Sequence, residues 1–137
     1  MQASGLNNNL ISWIQDFLNR TQFVAVNGQY SKLFKVLSGI PQGSVIGPIL
    51  FLIYINDLPD FCSGKHDAKC AIYLYSDDAK IYKTITNGED QDILQRVINR
   101  LKEWCDRWLV SININKCNQM SFDAKHKTDT DYYIISN

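Results

Sequence analysis

Apolar and polar positions along the chain alternate with two periods, and the period changes several times. Leu10, Ile11, Trp13, Ile14, Phe17 and Leu18 recur at helical spacing, which predicts an amphipathic helix with Asn9 as its N-cap and Asp16 and Arg20 facing water. A longer helical stripe, Ile93, Leu94, Val97, Ile98, Leu101, Trp104, Cys105 and Trp108, follows Asn87-Gly88-Glu89-Asp90, where Asn87 can cap and the acids suit the helix dipole. Its other face carries Arg96, Arg100, Lys102, Glu103 and Arg107, which read as a solvated face, with substrate contact as the alternative. Period-two segments flank Asn27-Gly28 (Gln22–Val26 and Gln29–Val36) and Ser76-Asp77-Asp78 (Ala71–Tyr75 and Ala79–Tyr82), predicting two β-hairpins. Ser111–Ile114 alternates like a half-buried strand, Asn115-Lys116 reads as a turn, and Cys117–Phe122 as an antiparallel return. Asp123–Asp131 reads as a charged loop and Tyr132–Ile135 as the start of another strand.

Between these segments lies Ile49–Ile55, apolar on every side and therefore expected to be a buried helix. It is entered from the glycine-bearing loop Ser38–Gly47, with Pro48 in its first turn, and Asn56-Asp57-Leu58-Pro59 ends it. Phe61–Lys69 reads as a polar connection. Helices interleaved with antiparallel hairpins make the class α+β.

At 137 residues the chain is the size of one ordinary domain, and no internal repeat or low-complexity linker marks a second. With 45% hydrophobic and 20% charged residues it has the composition of a soluble globular protein rather than a disordered one. Fourteen basic residues balance fourteen acidic ones, so nucleic-acid binding would need a local basic patch. The first residues lack a basic segment followed by an apolar one, and the longest apolar run, Val45–Ile55, falls short of the roughly 20 residues that span a bilayer. An intracellular protein with no membrane partner is expected. Cys62, Cys70, Cys105 and Cys117 contain no C-x-x-C spacing, which disfavours zinc and predicts free, mostly buried thiols.

Candidate chemistry centres on Asp77 and Asp78. Adjacent carboxylates repel, and divalent cations on a rigid hairpin tip would offset that repulsion; Asp-Asp is also ordinary turn chemistry. The Gly39, Gly43 and Gly47 loop either lets backbone approach a bound partner or merely permits tight entry to a core helix. Lys32 and Lys35 could meet phosphate, or stand as solvated surface charges.

Three motifs in order carry a specific resemblance. SGIPQGSVIGPILFLIYINDLP, YSDDAKIY and LKEWCDRWLVSININKC resemble the Gln loop, the catalytic hairpin and the W-x-x-x-W…N-x-x-KC segment of the reverse transcriptases of non-LTR, LINE-type (jockey-like) retrotransposons. WIQDFLNRTQFVAVNGQYS is similar to the stretch that precedes the Gln loop in that family. In the hairpin, Ser76 stands where Ala is usual and Ala79 where Thr is usual.

This resemblance implies a polymerase palm-like fold, an antiparallel sheet packed on helices, here incomplete, with the first catalytic strand, fingers and thumb missing. It implies nucleotidyl transfer with two Mg²⁺ ions (Mn²⁺ as a substitute), on an RNA template with a DNA primer and deoxynucleoside triphosphates. Asp77 and Asp78 then belong to the metal site, Tyr75 sits beside the primer end, Gln42 and Gly43 border the incoming nucleotide and template base, and Ser76 joins Tyr75, Gln42 and Gly43 as a nucleotide- and template-binding residue. Lys116 matches the residue expected to protonate the leaving pyrophosphate. A third metal-binding Asp should lie upstream of the Gln loop, where residues 1–37 offer only Asp16, within a predicted helix. Residues 1–137 are therefore expected to be a partial reverse transcriptase domain, inactive in isolation and poorly soluble because a sheet edge and apolar faces are open. The alternatives are a non-catalytic remnant that binds nucleic acid or protein, and, more weakly, an RNA-copying RNA polymerase.

Overall fold

The computed structural model describes residues 5–64, 70–122 and 131–134, which form two compact units, Met1–Ile55 and Asn56–Asn137. The fold is α+β, as expected. Instead of one sheet, the described strands form three separate two-stranded antiparallel ladders.

The first unit opens with α1 (Asn8–Leu18), which buries Ile14. Asn7, not Asn9, is its N-cap, and the Asn7 side chain accepts from the Asn9 backbone N–H at 2.8 Å. The three consecutive asparagines offer equivalent caps, and the one that leaves Asn9 inside the first turn is used. A hairpin follows, built from an outer ladder, β1 (Thr21–Gln22) with β4 (Phe34–Lys35), and an inner ladder, β2 (Ala25–Val26) with β3 (Gln29–Tyr30). Asn27 and Gly28 turn it with φ of 49° and 77°, the double left-handed pair of a type I′ turn. Between the ladders, Phe23 and Val24 face Ser31, Lys32 and Leu33, so one extra residue bulges on the return arm. Ser31 stitches that gap, its hydroxyl accepting from the Val24 N–H at 2.9 Å and donating to the Lys32 carbonyl.

The unit closes with α2 (Gly47–Ile55), with Pro48 in its first turn as predicted. Leu50 and Ile55 are buried, but Ile49 and Leu52 are 55% and 57% exposed. The expectation of a helix buried on all sides is thus corrected: the described chain covers one stripe of it. Arg20, expected to face water, instead donates to the carbonyls of Gly39 at 3.2 Å and Leu18 at 3.4 Å, tying the loop before α2 to the end of α1.

The second unit holds the better core, with Leu58, Cys62, Cys70, Val97, Trp104 and Cys105 all buried. Asn56 and Asp57 end α2 as expected, but the following residues form a short helix, α3 (Leu58–Ser63), where a polar connection was predicted. Pro59 can occupy a first turn, and Leu58 and Cys62, four apart, give that turn a buried face. After the undescribed residues 65–69 come β5 (Ala71–Tyr75) and β6 (Asp78–Tyr82), then α4 (Gly88–Arg107).

α4 is the helix that the long stripe predicted. Asn87 caps it by accepting from the Asp90 N–H at 2.9 Å. Val97, Trp104 and Cys105 are buried, although Trp108, at the stripe's end, is 43% exposed. Arg100 is not merely solvated: it donates to the Cys62 carbonyl at 3.1 Å, and Arg107 lies over the Phe61 ring at 5.3 Å. The helix ends in a Schellman motif, with Val110 N–H on the Cys105 carbonyl and Leu109 N–H on that of Asp106. Leu109 takes the left-handed conformation (φ 57°) that glycine usually supplies.

The strand expected over Ser111–Ile114 and its return over Cys117–Phe122 do not form. Ile114–Lys116 is a 3₁₀ turn, in which the Asn113 carbonyl accepts from the Lys116 N–H and that of Ile114 from the Cys117 N–H. Alternation gives a segment a sided face, but a ladder also needs a partner, and here local bonds engage the backbone first. Tyr132–Ile134 is likewise not strand, and Ile135 lies outside the described residues, as does the expected charged loop apart from Asp131. None of the four cysteines forms a disulfide; three are buried and Cys117 is exposed. Burial, reinforced by neighbouring Cys105, pushes the Cys62 thiol up to about 12.

Candidate metal-binding hairpin

The β5–β6 register pairs Ala71 with Tyr82, Ile72 with Ile81, Tyr73 with Lys80, Leu74 with Ala79 and Tyr75 with Asp78. The connection is therefore two residues, Ser76-Asp77, and Asp78 is the first residue of β6 rather than part of the turn. Ser76 has φ 54°, a backbone angle that glycine usually supplies, while Asp77 has no positive φ. Left-handed conformation at a non-glycine residue costs about 1 kcal/mol. The strain thus sits next to the two acids.

Because side chains alternate across a ladder, each pair in register shares a face. Ile72, Leu74 and Ile81 form the half-buried inner face. Tyr73, Tyr75, Asp78, Lys80 and Tyr82 form an exposed outer face, Tyr75 being 83% exposed. On it the Tyr73 and Tyr82 rings stack with centroids 5.7 Å apart and 4° between planes. A hydrogen bond with Tyr73 raises the pKa of the Tyr82 hydroxyl. Asp77 and Asp78 are both exposed at the tip. Hard carboxylate oxygens at a solvent-facing tip fit Mg²⁺, which is commonly held by one or two carboxylates together with substrate phosphates and water. No cluster of three or more His, Cys, Asp or Glu side chains suited to a metal occurs among the described residues.

The hairpin base is built differently from its tip. Cys70, buried, donates its thiol to the Tyr82 carbonyl at 3.6 Å. One residue after β6, the Lys83 ammonium meets the Asp90 carboxylate at 2.9 Å, with only 1% of the lysine side chain and 11% of the aspartate side chain exposed. The other Asp90 oxygen accepts from the Thr86 hydroxyl at 2.6 Å and the Thr86 N–H at 2.9 Å. These bonds, the Thr86 hydroxyl first and Lys83 next, hold the Asp90 carboxyl well below the ordinary range. At the far end of α4, the Trp104 indole N–H donates to Asp57 at 3.0 Å. Sequence reasoning placed Asp90 only as a helix-dipole acid and Asp57 only at a helix end, and passed over Lys83. The sequence signals available were the spacing Asn87-x-x-Asp90, an N-cap with an acid three residues on, and the Asp of YINDLP.

The remaining predicted site residues lie elsewhere. Pro41–Ser44 is a tight turn closed by the Ser44 N–H on the Pro41 carbonyl at 3.1 Å, with Gly43 at φ 78° and Gln42 exposed. The Ser44 hydroxyl accepts from the Gly47 N–H at 3.1 Å, and a Cβ on Gly47 would fall 2.7 Å from that hydroxyl, so a larger residue there would displace the Ser44 side chain. Gln42 and Gly43 belong to the first unit, the hairpin to the second. Lys116 ends the exposed 3₁₀ turn. The structure thus gathers Tyr75, Ser76, Asp77 and Asp78 at one tip. Asp16 lies mid-helix in α1, as expected, and Lys32 and Lys35 are exposed.

No described helix is long and apolar enough to cross a membrane. No solved structure matches the chain. Among curated proteins, it is similar to an RNA-directed DNA polymerase from the mobile element jockey of Drosophila funebris, 34% identical over 117 residues, which cover 82% of this chain and 13% of that protein. It is also 30% identical over 123 residues to a probable RNA-directed DNA polymerase from the X-element transposon of Drosophila melanogaster, covering 88% of this chain and 13% of that one. A third relative, from transposon BS of Drosophila melanogaster, is 32% identical over 121 residues, or 85% of this chain and 13% of the relative. The chain thus spans about an eighth of the length of these relatives. The family model for reverse transcriptase (RNA-dependent DNA polymerase) matches residues 1–133, and the chain belongs to that family.

Proposed function

We propose that this chain is the palm segment of a retrotransposon reverse transcriptase and that the β5–β6 tip holds the divalent ions at the primer terminus. The protein carrying it would copy an RNA template by extending a DNA primer with deoxynucleoside triphosphates. The observation that carries this reading is the seating of Asp77 and Asp78 together at a strained, exposed two-residue turn, in a chain of this family. Bound Mg²⁺ would supply charge stabilisation for the attacking and leaving oxygens of an in-line phosphoryl displacement.

The chain's own residues divide the remaining work. Asp77 and Asp78 offer the hard oxygen donors. Tyr75, in register with Asp78, offers a ring on the same face, placed to pack under a terminal sugar or base. Gln42 and Gly43 form a turn whose exposed backbone suits the border of a nucleotide site. Lys116 is the candidate proton donor to the pyrophosphate leaving group. The third carboxylate implied by the family has no counterpart among residues 1–37, so the isolated chain is expected to leave a primed RNA template unextended.

The test is a chimera in which this chain replaces the matched segment of a jockey-type polymerase. RNA-templated primer extension is expected, with Asp77→Asn reducing it by roughly a hundredfold or more, the scale seen when charge stabilisation is removed from a reacting centre. Extension that survives Asp77→Asn and Asp78→Asn unchanged contradicts the proposal.

A further inference from the structure

We infer that Lys83 and Asp90, braced by Thr86, are positioning residues for the Asp77–Asp78 tip: a buried latch at the hairpin base that fixes where the two carboxylates are held. This rests on the metal-binding reading of the tip given above.

The hairpin cannot place its own tip. A lone two-stranded ladder is marginally stable in water. Its outer face is largely exposed, with Tyr73 and Tyr82 each 57% exposed, so among the described residues little packing on that side opposes tilting. Its position is therefore set by the half-buried inner face and by what grips its base. β6 starts at Asp78 and runs without interruption to Tyr82, and Lys83 follows directly. At roughly 3.4 Å per residue the latch stands about 17 Å from Asp78, so a small rotation at the base becomes a larger displacement at the tip.

The latch is built to resist such rotation. Lys83 is anchored from the strand side and Asp90 from the first turn of α4, whose own N–H is held by Asn87. Both Asp90 oxygens are engaged, one by the Lys83 ammonium and the other twice by Thr86. Thr86 also lies between strand and helix, so the connection is closed on itself. Removing one partner leaves a charge buried and unpaired, a far larger penalty than losing a surface pair. The other ion pairs described on α4, Lys102 with Asp106 and Arg107 with Glu103, are four-residue helix-surface pairs of the kind that contributes little.

The experiment uses the ¹⁵N-labelled chain, with Mn²⁺ alone as the probe. Two readouts are taken: paramagnetic broadening of the Ser76–Ala79 amides against Mn²⁺ concentration, and amide exchange along β5, β6 and α4. In Asp90→Asn and Lys83→Met the Mn²⁺ concentration for half-broadening is expected to rise by roughly tenfold, the low end of losses when groups orienting metal ligands are removed. The β5–β6 amides should exchange faster, while Val97–Cys105 protection and the Trp104 indole N–H resonance are retained. Thr86→Val, which deletes one hydroxyl bond and keeps the ion pair, should give a smaller change in the same direction, and Lys83→Arg should restore much of the loss. Unchanged tip response in Asp90→Asn overturns the inference. So does loss of tip and α4 together in all variants, Thr86→Val included, because that pattern marks a fold-holding pair only. If the unaltered chain shows no Mn²⁺ response at the tip, the metal reading fails, and the exchange arm still decides the latch: unaltered β5–β6 protection in Asp90→Asn overturns it.

Discussion

The two hairpins of this chain are similar in topology and opposite in setting. The first turns on Asn27-Gly28, with both φ angles suited to its residues, and its strands β1 to β4 are exposed throughout. The second turns on Ser76-Asp77, with a strained serine, yet it has a half-buried face and a base gripped by Cys70, Lys83 and Asp90. A comfortable turn makes a hairpin; burial and buried polar bonds give a hairpin a defined place. Where the chain carries its candidate chemistry, local comfort is given up at the tip and position is secured at the base.

The largest way to break this contrast is to remove the core beneath the second hairpin. Trp104→Ala, at a side chain 1% exposed and bonded to Asp57, should cost about 3–5 kcal/mol in chemical denaturation of the second unit and strip protection from the β5–β6 amides. A loss under about 1 kcal/mol would contradict a core centred on that indole.

Acid should act next. The Asp90 carboxyl is lowered from 3.8 by its partners, so its contribution to stability is full above that value and is lost as pH falls below it towards the depressed folded-state pKa. Stability of the unaltered chain should therefore fall through that acid window more steeply than that of Asp90→Asn, as read by fluorescence-monitored unfolding. Parallel curves would remove Asp90 from the account.

The turns themselves sharpen the comparison at smaller scale. Gly28→Ala meets no atom within 4 Å but sits at φ 77°, so it should cost roughly 1–2 kcal/mol in the population of the first hairpin, read from its cross-strand NMR contacts. Ser76→Gly should do the reverse at the second tip, gaining at most about 1 kcal/mol once the entropy of glycine is subtracted. Opposite signs would confirm that strain separates the two turns; a destabilising Ser76→Gly would contradict it.

Much of this was legible in the sequence because it depends on neighbours in the chain. Asn27-Gly28, Pro48 and the Ile93–Cys105 stripe each encode their conformation within a few residues, and YSDD lies at its tip as read. What was not legible depends on partners far along the chain. Ser111–Ile114 has the pattern of a strand but no ladder forms, because turn bonds at Asn113 and Ile114 engage its carbonyls first. Phe61–Lys69 read as a polar connection, and only the pairing of Leu58 with Cys62 on one buried face shows why α3 forms there. Lys83 drew no reading from the sequence, and only Asp90, seven residues later, makes its burial tolerable. At the helix end, Leu109 in a glycine conformation gave no sequence signal at all.

The central claim is that the second hairpin's tip, and not hairpin geometry in general, is a divalent-ion site. Mn²⁺ titration of the ¹⁵N-labelled chain tests it most directly, because Asn27-Gly28 serves as an internal control. The account predicts broadening centred on Ser76–Ala79, abolished by Asp77→Asn with Asp78→Asn, and none at Asn27–Gln29. Equal broadening at both turns, or broadening that survives the double substitution, would contradict it.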